Sequence, residues 1–565
     1  MAISSRSGSV GEALRSCRSL VIAGMAFALG ACVHGQTHPS NRNPLVEAPV
    51  GMVQGTATDG ISVFRGIRYA AAPTGQKRWK PPVAEPDWQG RRDARQFGPL
   101  CYQPETRPTA NNIYAEQLPE MSEDCLMLNI WAPEDATDAP VFVWIHGGAL
   151  VSGGSSFGMY DGTRLAKEGL VVVSINYRLG VLGFLAHPEL SAESPDGISG
   201  NYGFLDQIEA LRWVKRNIAA FGGDAGNVTI AGESAGALSV MYLMTSPLAR
   251  GLFHKAVMQS AYMMSTPELK QAKHGHPSSE SIGSGFQQKL GAADIAQMRA
   301  IVPGDLIARS VAEGYPSWGT VDGKVLPRQV VDTFDRGEEA KVPLLAGFNS
   351  GEIRSLRRLL PPAPDTADEY ERRIRANYGE LADLFLTHYP PETIDESMLA
   401  STRDALYGWT AERMARKHMR NGSPAYLYLF DHGYPAADEA GLHAFHAAEI
   451  PYMFGTIHNT SDAWPKIPDT DEERALSDAM VGYWASFART GKPTAPDNPD
   501  WPQYGERRNF MHFVDRPVVK QDAMGRRYDL HEQMVCRRRA AGDVSWNWNV
   551  GVISPPLPQQ VKQCQ

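Results

Sequence analysis

The chain has 565 residues, of which 43% are hydrophobic and 21% charged, and its formal net charge is −8 at pH 7. That is the composition of an ordinary globular protein able to bury a large core. A mildly acidic chain without a basic stripe argues against nucleic acid as a partner, and the short run Arg537-Arg538-Arg539 reads as solvated surface.

Residues 1–31 read as a signal peptide: Arg15 and Arg18 precede an apolar stretch from Leu20 to Leu29 that is too short to span a membrane. Leu29-Gly30-Ala31-Cys32 then has the pattern of a bacterial lipobox, in which Cys32 would be lipidated and attach the chain to a membrane. The alternative is cleavage after Ala31 or Ala28, leaving Cys32 as a free thiol. Residues 32–43 are polar and aperiodic, as a tether would be. The expected destination is export: periplasmic or membrane-anchored in a bacterium, or secreted.

Once Cys17 has left with the signal and Cys32 is lipidated, four of the six cysteines remain, in two local pairs. This suits an oxidising compartment. A Cys101–Cys125 bridge would close a loop of roughly 25 residues and contribute ~3–4 kcal/mol in the chain-entropy model. A Cys536–Cys564 bridge would pin the Pro-rich tail. Buried thiols are the alternative for both pairs.

Residues 44–565 read as one domain with alternating strand and helix patterns. Pro140–Ile145 and Leu170–Ile175 are continuous apolar runs, as expected of strands buried on both faces. From Asp206 to Phe221, Ile208, Leu211, Val214, Ile218 and Phe221 recur at helical spacing. His254–Gln259, Val342–Phe348 and Ala425–Phe430 are further buried-strand candidates. The alternation predicts an α/β fold, a mostly parallel central sheet covered by helices. The charged intervals 265–310 and 353–440 lack strand signals and read as helical insertions capping one end of the sheet.

Ser234 lies in Gly232-Glu233-Ser234-Ala235-Gly236, after the apolar run Val228–Ala231 and before a helix-compatible stretch, the strand–turn–helix setting of a nucleophile elbow. A serine is a poor nucleophile alone and needs a base, an acid and oxyanion donors. Histidine is the side chain that titrates near neutrality. His446, beside the apolar stretch Ile450–Phe454, is the first candidate base and His443 its rival. Glu352 follows the strand candidate ending at Phe348, where an α/β hydrolase would place the acid. The order Ser234, Glu352, His446 is the one expected of that fold. His146-Gly147-Gly148-Ala149, after the Val141–Ile145 strand, is the kind of turn that supplies oxyanion-hole amides.

Together with Phe64–Ala70, Ser122–Trp131, Asn176–Gly180, Gly200–Gln207 and Phe221–Asp224, these motifs make residues from about 44 to 515 resemble the type-B carboxylesterase/lipase family, which includes para-nitrobenzyl-esterase-like bacterial enzymes, cholinesterases and the non-catalytic neuroligins. The resemblance implies an α/β-hydrolase fold with Ser234 as nucleophile, His446 as base and Glu352 as acid. It also implies Gly148, Ala149 and Ala235 N–H groups as oxyanion donors and a Cys101–Cys125 bridge. The family's histidine is followed three residues later by an acid, which matches His446 and Glu449 and demotes His443. No metal, organic cofactor or protein partner is implied; the partner is a small-molecule ester.

Three departures stand out. The family has Asp-Glu-Gly about its acid where this chain has Gly351-Glu352-Ile353. His443 stands where a glycine is usual, three residues before the catalytic histidine. The Cys101–Cys125 loop has no tryptophan, so a choline-ester preference is not expected. The expected function is that of a serine carboxylesterase working through an acyl-enzyme. Amide, carbamate or lactone hydrolysis by the same groups is the alternative. A catalytically silent adhesion or binding module is the reading from another class, opposed by the retained triad.

Overall fold

Alternate residues of the central strands are buried on opposite sides of one sheet, which is why those strands read as unbroken apolar runs. In β4 (Ala139–Ile145), Val141, Val143 and Ile145 join the core on one face while Phe142 and Trp144 join that on the other. Each such side chain contributes about 1.5–3 kcal/mol on burial. The structure, a computed structural model, describes residues 43–105, 112–547 and 550–564. The expected signal peptide, Cys32 and the tether up to residue 42 lie outside the described residues.

The other strands of this sheet are β1 (Thr56–Thr58), β2 (Ile61–Arg68), β3 (Met127–Pro133), β5 (Val171–Ile175), β6 (Gly223–Glu233), β7 (Lys255–Gln259), β8 (Leu344–Asn349), β9 (Ala425–Phe430), β10 (Asn509–Phe513) and β11 (Pro517–Gln521). Their spatial order is β11-β10-β9-β8-β7-β6-β4-β5-β3-β2-β1. Every neighbouring pair from β10 across to β5 is parallel, and antiparallel strands flank both sides. The helix expected after Asp206 runs Tyr202–Asn217 (α1), with Ile208, Leu211 and Val214 fully buried. The helix Ala235–Thr245 (α2) is buried along its whole length, as an element apolar all round must be.

Between β7 and β8 lie helices Ser279–Leu290, Ile295–Ala300 and Pro303–Ala312, over a small core that includes Leu182, Phe286, Leu290 and Ile307. Between β8 and β9 lie Ala367–Tyr378, Ala382–His388, Ile394–Arg403 and Trp409–Arg420. Disulfides join Cys101 to Cys125 and Cys536 to Cys564. The second fastens the tail to helix Arg526–Ala541, while Leu557 N–H reaches Asn377 O at 2.8 Å. Among the described residues no helix is long and apolar enough to cross a membrane.

Candidate active site

The end of β6 delivers Glu233 and Ser234 into a turn that α2 continues from Ala235. Ser234 has φ 55° and ψ −120°, a conformation costing on the order of 1–3 kcal/mol that must be imposed by its surroundings. The surroundings are backbone. A Cβ on Gly236 would sit 2.0 Å from Ile145 O, and one on Gly232 would sit 2.5 Å from the Gly236 carbonyl carbon. Ser234 N–H donates to Gln259 O at 2.9 Å, tying the turn to the end of β7.

After β4 the chain turns through Gly148, Ala149 and Leu150, at φ 103°, 55° and 62°. Val151 and Ser152 N–H both donate to Gly148 O at 3.0 Å, and a Cβ on Gly148 would lie 2.0 Å from Ser152 O, so only glycine closes this loop. Tyr177 OH donates to His146 O at 2.9 Å and its ring stacks on the imidazole at 4.6 Å. Burial pushes His146 down to about 4, so it is neutral at physiological pH. Among the described residues, the amides of Gly148, Ala149 and Ala235 make no hydrogen bond within the protein.

His446 and Glu352 meet on the far side. Gly351 pairs with Phe445 in a parallel bridge, and Gly351 N–H donates to Ala444 O at 2.8 Å, so the two loops run together. Glu352 is fully buried; its Oε1 accepts Asn349 N–H at 2.9 Å and its Oε2 is in short contact with His446 Nδ1. On the other edge of the ring, His446 Nε2 lies 3.1 Å from Glu233 Oε1. Burial pushes Glu233 up to about 8, the charge of His446 opposing the rise and Glu449 and Glu352 adding to it. Burial opposes the charged form of His446, but the carboxylates of Glu233 and Glu352 outweigh it and raise the imidazole above its ordinary value. Glu449, also buried, accepts from Gln259 Nε2 at 3.0 Å and from Asn349 Nδ2 at 2.6 Å. Gln259 Oε1 in turn accepts Trp484 Nε1–H at 3.0 Å.

The sequence departures have local reasons. Ile353, in the usual glycine's place, is 1% exposed and packs into the core beside Phe348 and Leu356. His443 has φ 50°, the left-handed region that explains the usual glycine, and its ring is held by Asp438 Oδ1 at 2.8 Å and Asp431 Oδ1 at 3.3 Å. His443 does not line the cavity that Ser234 and His446 share. Sequence reasoning missed Glu233 as a neighbour of the imidazole, although it adjoins Ser234 in the motif. It also missed Asn349, Gln259 and Tyr114, whose hydroxyl donates to His446 O at 2.9 Å. These three carry no spacing signal.

The shared cavity holds about 400 Å³ and includes Ser234, His446, Gly148 and Ala149. Its walls come from 112–118, from Phe157, Met159 and Tyr160, from Tyr262, and from Leu356, Arg358, Leu359 and Tyr407 of the second insertion. Among the described residues none from 265–310 lines it. Also among the described residues, no group of three or more His, Cys, Asp or Glu side chains could hold a metal ion.

The carboxylesterase family profile matches residues 42–531. The chain is 36% identical to the fumonisin B1 esterase of Sphingopyxis macrogoltabida over 488 residues, covering 82% of this chain and 85% of that one. It is 34% identical to the para-nitrobenzyl esterase of Bacillus subtilis over 491 residues, covering 84% and 95%. Among solved structures, a PNB esterase superposes with a TM-score of 0.72 at 32% identity, over 86% of this chain and all of the other. A Geobacillus stearothermophilus carboxylesterase does so with a TM-score of 0.68 at 32% identity, over 86% and 99%. An α/β-hydrolase sheet and relatives matched over most of both lengths lead to one conclusion: the chain belongs to the carboxylesterase family and is a carboxylic ester hydrolase.

Proposed function

We propose that Ser234, His446 and Glu352 are the catalytic triad of this serine esterase, with the Gly148, Ala149 and Ala235 amides as its oxyanion hole. The observation that carries the reading is a cavity lined by Gly148 and Ala149, whose amides make no hydrogen bond among the described residues, together with Ser234 and a carboxylate-held imidazole, the equally unpartnered Ala235 amide opening the helix directly after Ser234. Glu352 fixes the Nδ1–H tautomer, which leaves Nε2 to act as the base. Nε2 turns from Glu233 to Ser234 and takes the hydroxyl proton as Oγ bonds to the ester carbonyl carbon. The amides hold the resulting oxyanion, each worth roughly 2.7–4 kcal/mol in the transition state. His446 then gives its proton to the leaving alkoxide as the carbon–oxygen bond breaks, and the acyl-enzyme remains. Water, deprotonated by the same nitrogen, releases the acid and restores Ser234.

An organophosphate-type serine probe tests this. Labelling and para-nitrophenyl ester turnover are expected in the natural protein and lost in Ser234→Ala with its melting temperature nearly unchanged. Persisting turnover in that variant overturns the assignment.

Export, and lipid attachment at Cys32, are part of the same proposal. Two disulfides support an oxidising compartment, and Leu29-Gly30-Ala31-Cys32 supports the anchor. Cell fractionation should move Cys32→Ser from the membrane to the soluble fraction; equal membrane retention counts against lipidation.

A further inference from the structure

The turn after Glu352 carries three arginines with different fates. Arg354 donates to Glu396 Oε2 at 2.7 Å, and Arg357 makes a bidentate pair with Asp395 at 2.8 and 3.0 Å. Both acids belong to helix Ile394–Arg403, so two of the three guanidinium groups are neutralised against the second insertion. Arg358 is exposed, lines the cavity that holds Ser234, and makes no ion pair among the described residues. It is the one arginine or lysine among the described residues that line this cavity. We infer that Arg358 gives the esterase a preference for esters bearing a second, anionic group, a carboxylate on the acyl or the alcohol part.

The opposing charges in the cavity do not cancel it. Two carboxyl groups line the same space, Glu116 and Glu233. Burial pushes Glu116 up to about 7, Asp462 adding to the rise and the Gly158 amide opposing it. Burial pushes Glu233 up to about 8. Burial opposes the charged form of both carboxyl groups, while a guanidinium stays charged. Protonated acids can donate to a substrate carboxylate, and an arginine fork can bind it through two parallel N–H bonds. Tyr114, whose phenol burial holds well above its ordinary value with the Ser355 bond and the Arg358 charge opposing, lies between this turn and the imidazole: its OH contacts Ser355 Oγ at 2.5 Å and His446 O at 2.9 Å.

The inference rests on the assignment of Ser234 as nucleophile, and its test reads a ratio so that the two can fail separately. Para-nitrophenyl hydrogen adipate and para-nitrophenyl hexanoate differ by a terminal carboxylate on the acyl chain. 4-Butyryloxybenzoate and phenyl butyrate differ likewise on the alcohol part. In the natural protein the anionic member of at least one pair should show the larger kcat/KM, with the advantage shrinking as salt is added. Arg358→Gln should cut that anionic-to-neutral ratio roughly tenfold, the size of one hydrogen bond to a charged group, chiefly through KM. Arg358→Glu should cut it further and Arg358→Lys should restore part of it. Ratios equal in the natural protein and Arg358→Gln for both pairs overturn the inference. Loss of all turnover in Ser234→Ala, with the ratio unaffected by Arg358→Gln, would sink this inference while leaving the triad intact.

Discussion

One half of the cavity floor is built of backbone and the other of side chains. Ser234 and the Gly148–Leu150 turn are held by main-chain contacts: Gly236 against Ile145 O, Ser234 N–H on Gln259 O, Gly148 O closing its own loop. Opposite them, His446 is held by Glu352, Glu352 by Asn349, and Asn349 by Glu449. The backbone half leaves no room for a methyl group, whereas the side-chain half stands or falls by which carboxyl groups carry protons. Steric arrangements of the first kind are insensitive to pH; those of the second are governed by it.

The largest expected effect falls on the side-chain half. Glu352→Gln keeps the shape but favours the wrong imidazole tautomer, so kcat should drop roughly 10⁴-fold with a much smaller change in KM. Steady-state kinetics on a para-nitrophenyl ester checks this, and a loss below tenfold would hand the acid's role to another group. The backbone half should break sterically instead. In Gly236→Ala the methyl would sit 2.0 Å from Ile145 O, a main-chain atom that cannot swing aside. Calorimetry should show stability falling by about 1–3 kcal/mol or more, and a melting temperature equal to that of the natural protein would contradict the packing argument.

Two finer experiments separate charge from shape. Glu233 is one of the carboxylates that raise the imidazole of His446. Glu233→Gln removes it, so the base form persists to lower pH and the rising limb of kcat/KM should move toward acid; a move toward alkali would refute that role. The smallest effect belongs to His443, whose ring is raised above its ordinary value by the hydrogen bond to Asp431, partly offset by burial, and by Asp438. Its contribution to folding is therefore complete below the unfolded-state histidine value and lost as pH rises through the higher folded one. His443→Gly relieves the left-handed backbone but gives up these bonds. The variant should melt below the natural protein near pH ~5, with the gap closing or reversing near pH ~9; a pH-independent gap would show the ring to be a spacer only.

The same division explains what the amino-acid sequence discloses. The strands β4 to β9 are legible because burial on both faces leaves uninterrupted apolar runs, and the elbow is legible because close main-chain approach demands glycine at fixed spacing. Glu352 and His446 needed chain order and family resemblance, since a buried acid and a solvated one look alike in a string of letters. Glu233's nearness to the imidazole follows from a strand end meeting a loop more than two hundred residues later, which no local pattern encodes. The cavity wall is least legible of all, being assembled from Tyr114, Tyr262, Arg358 and Tyr407 on separate segments.

Gln259 joins the two halves. Its carbonyl receives the Ser234 amide, its side-chain nitrogen reaches Glu449, and its side-chain oxygen takes the indole hydrogen of Trp484. A single residue at the tip of β7 thus ties the Ser234 turn to the Asn349–Glu449 pair as a rivet ties two plates. Loosening of the aromatic layer around Trp484 on warming would reach the Ser234 turn through it before the sheet itself gives way. Turnover followed on warming beside the unfolding transition should therefore fall first, and coincident loss of the two would deny Gln259 that role.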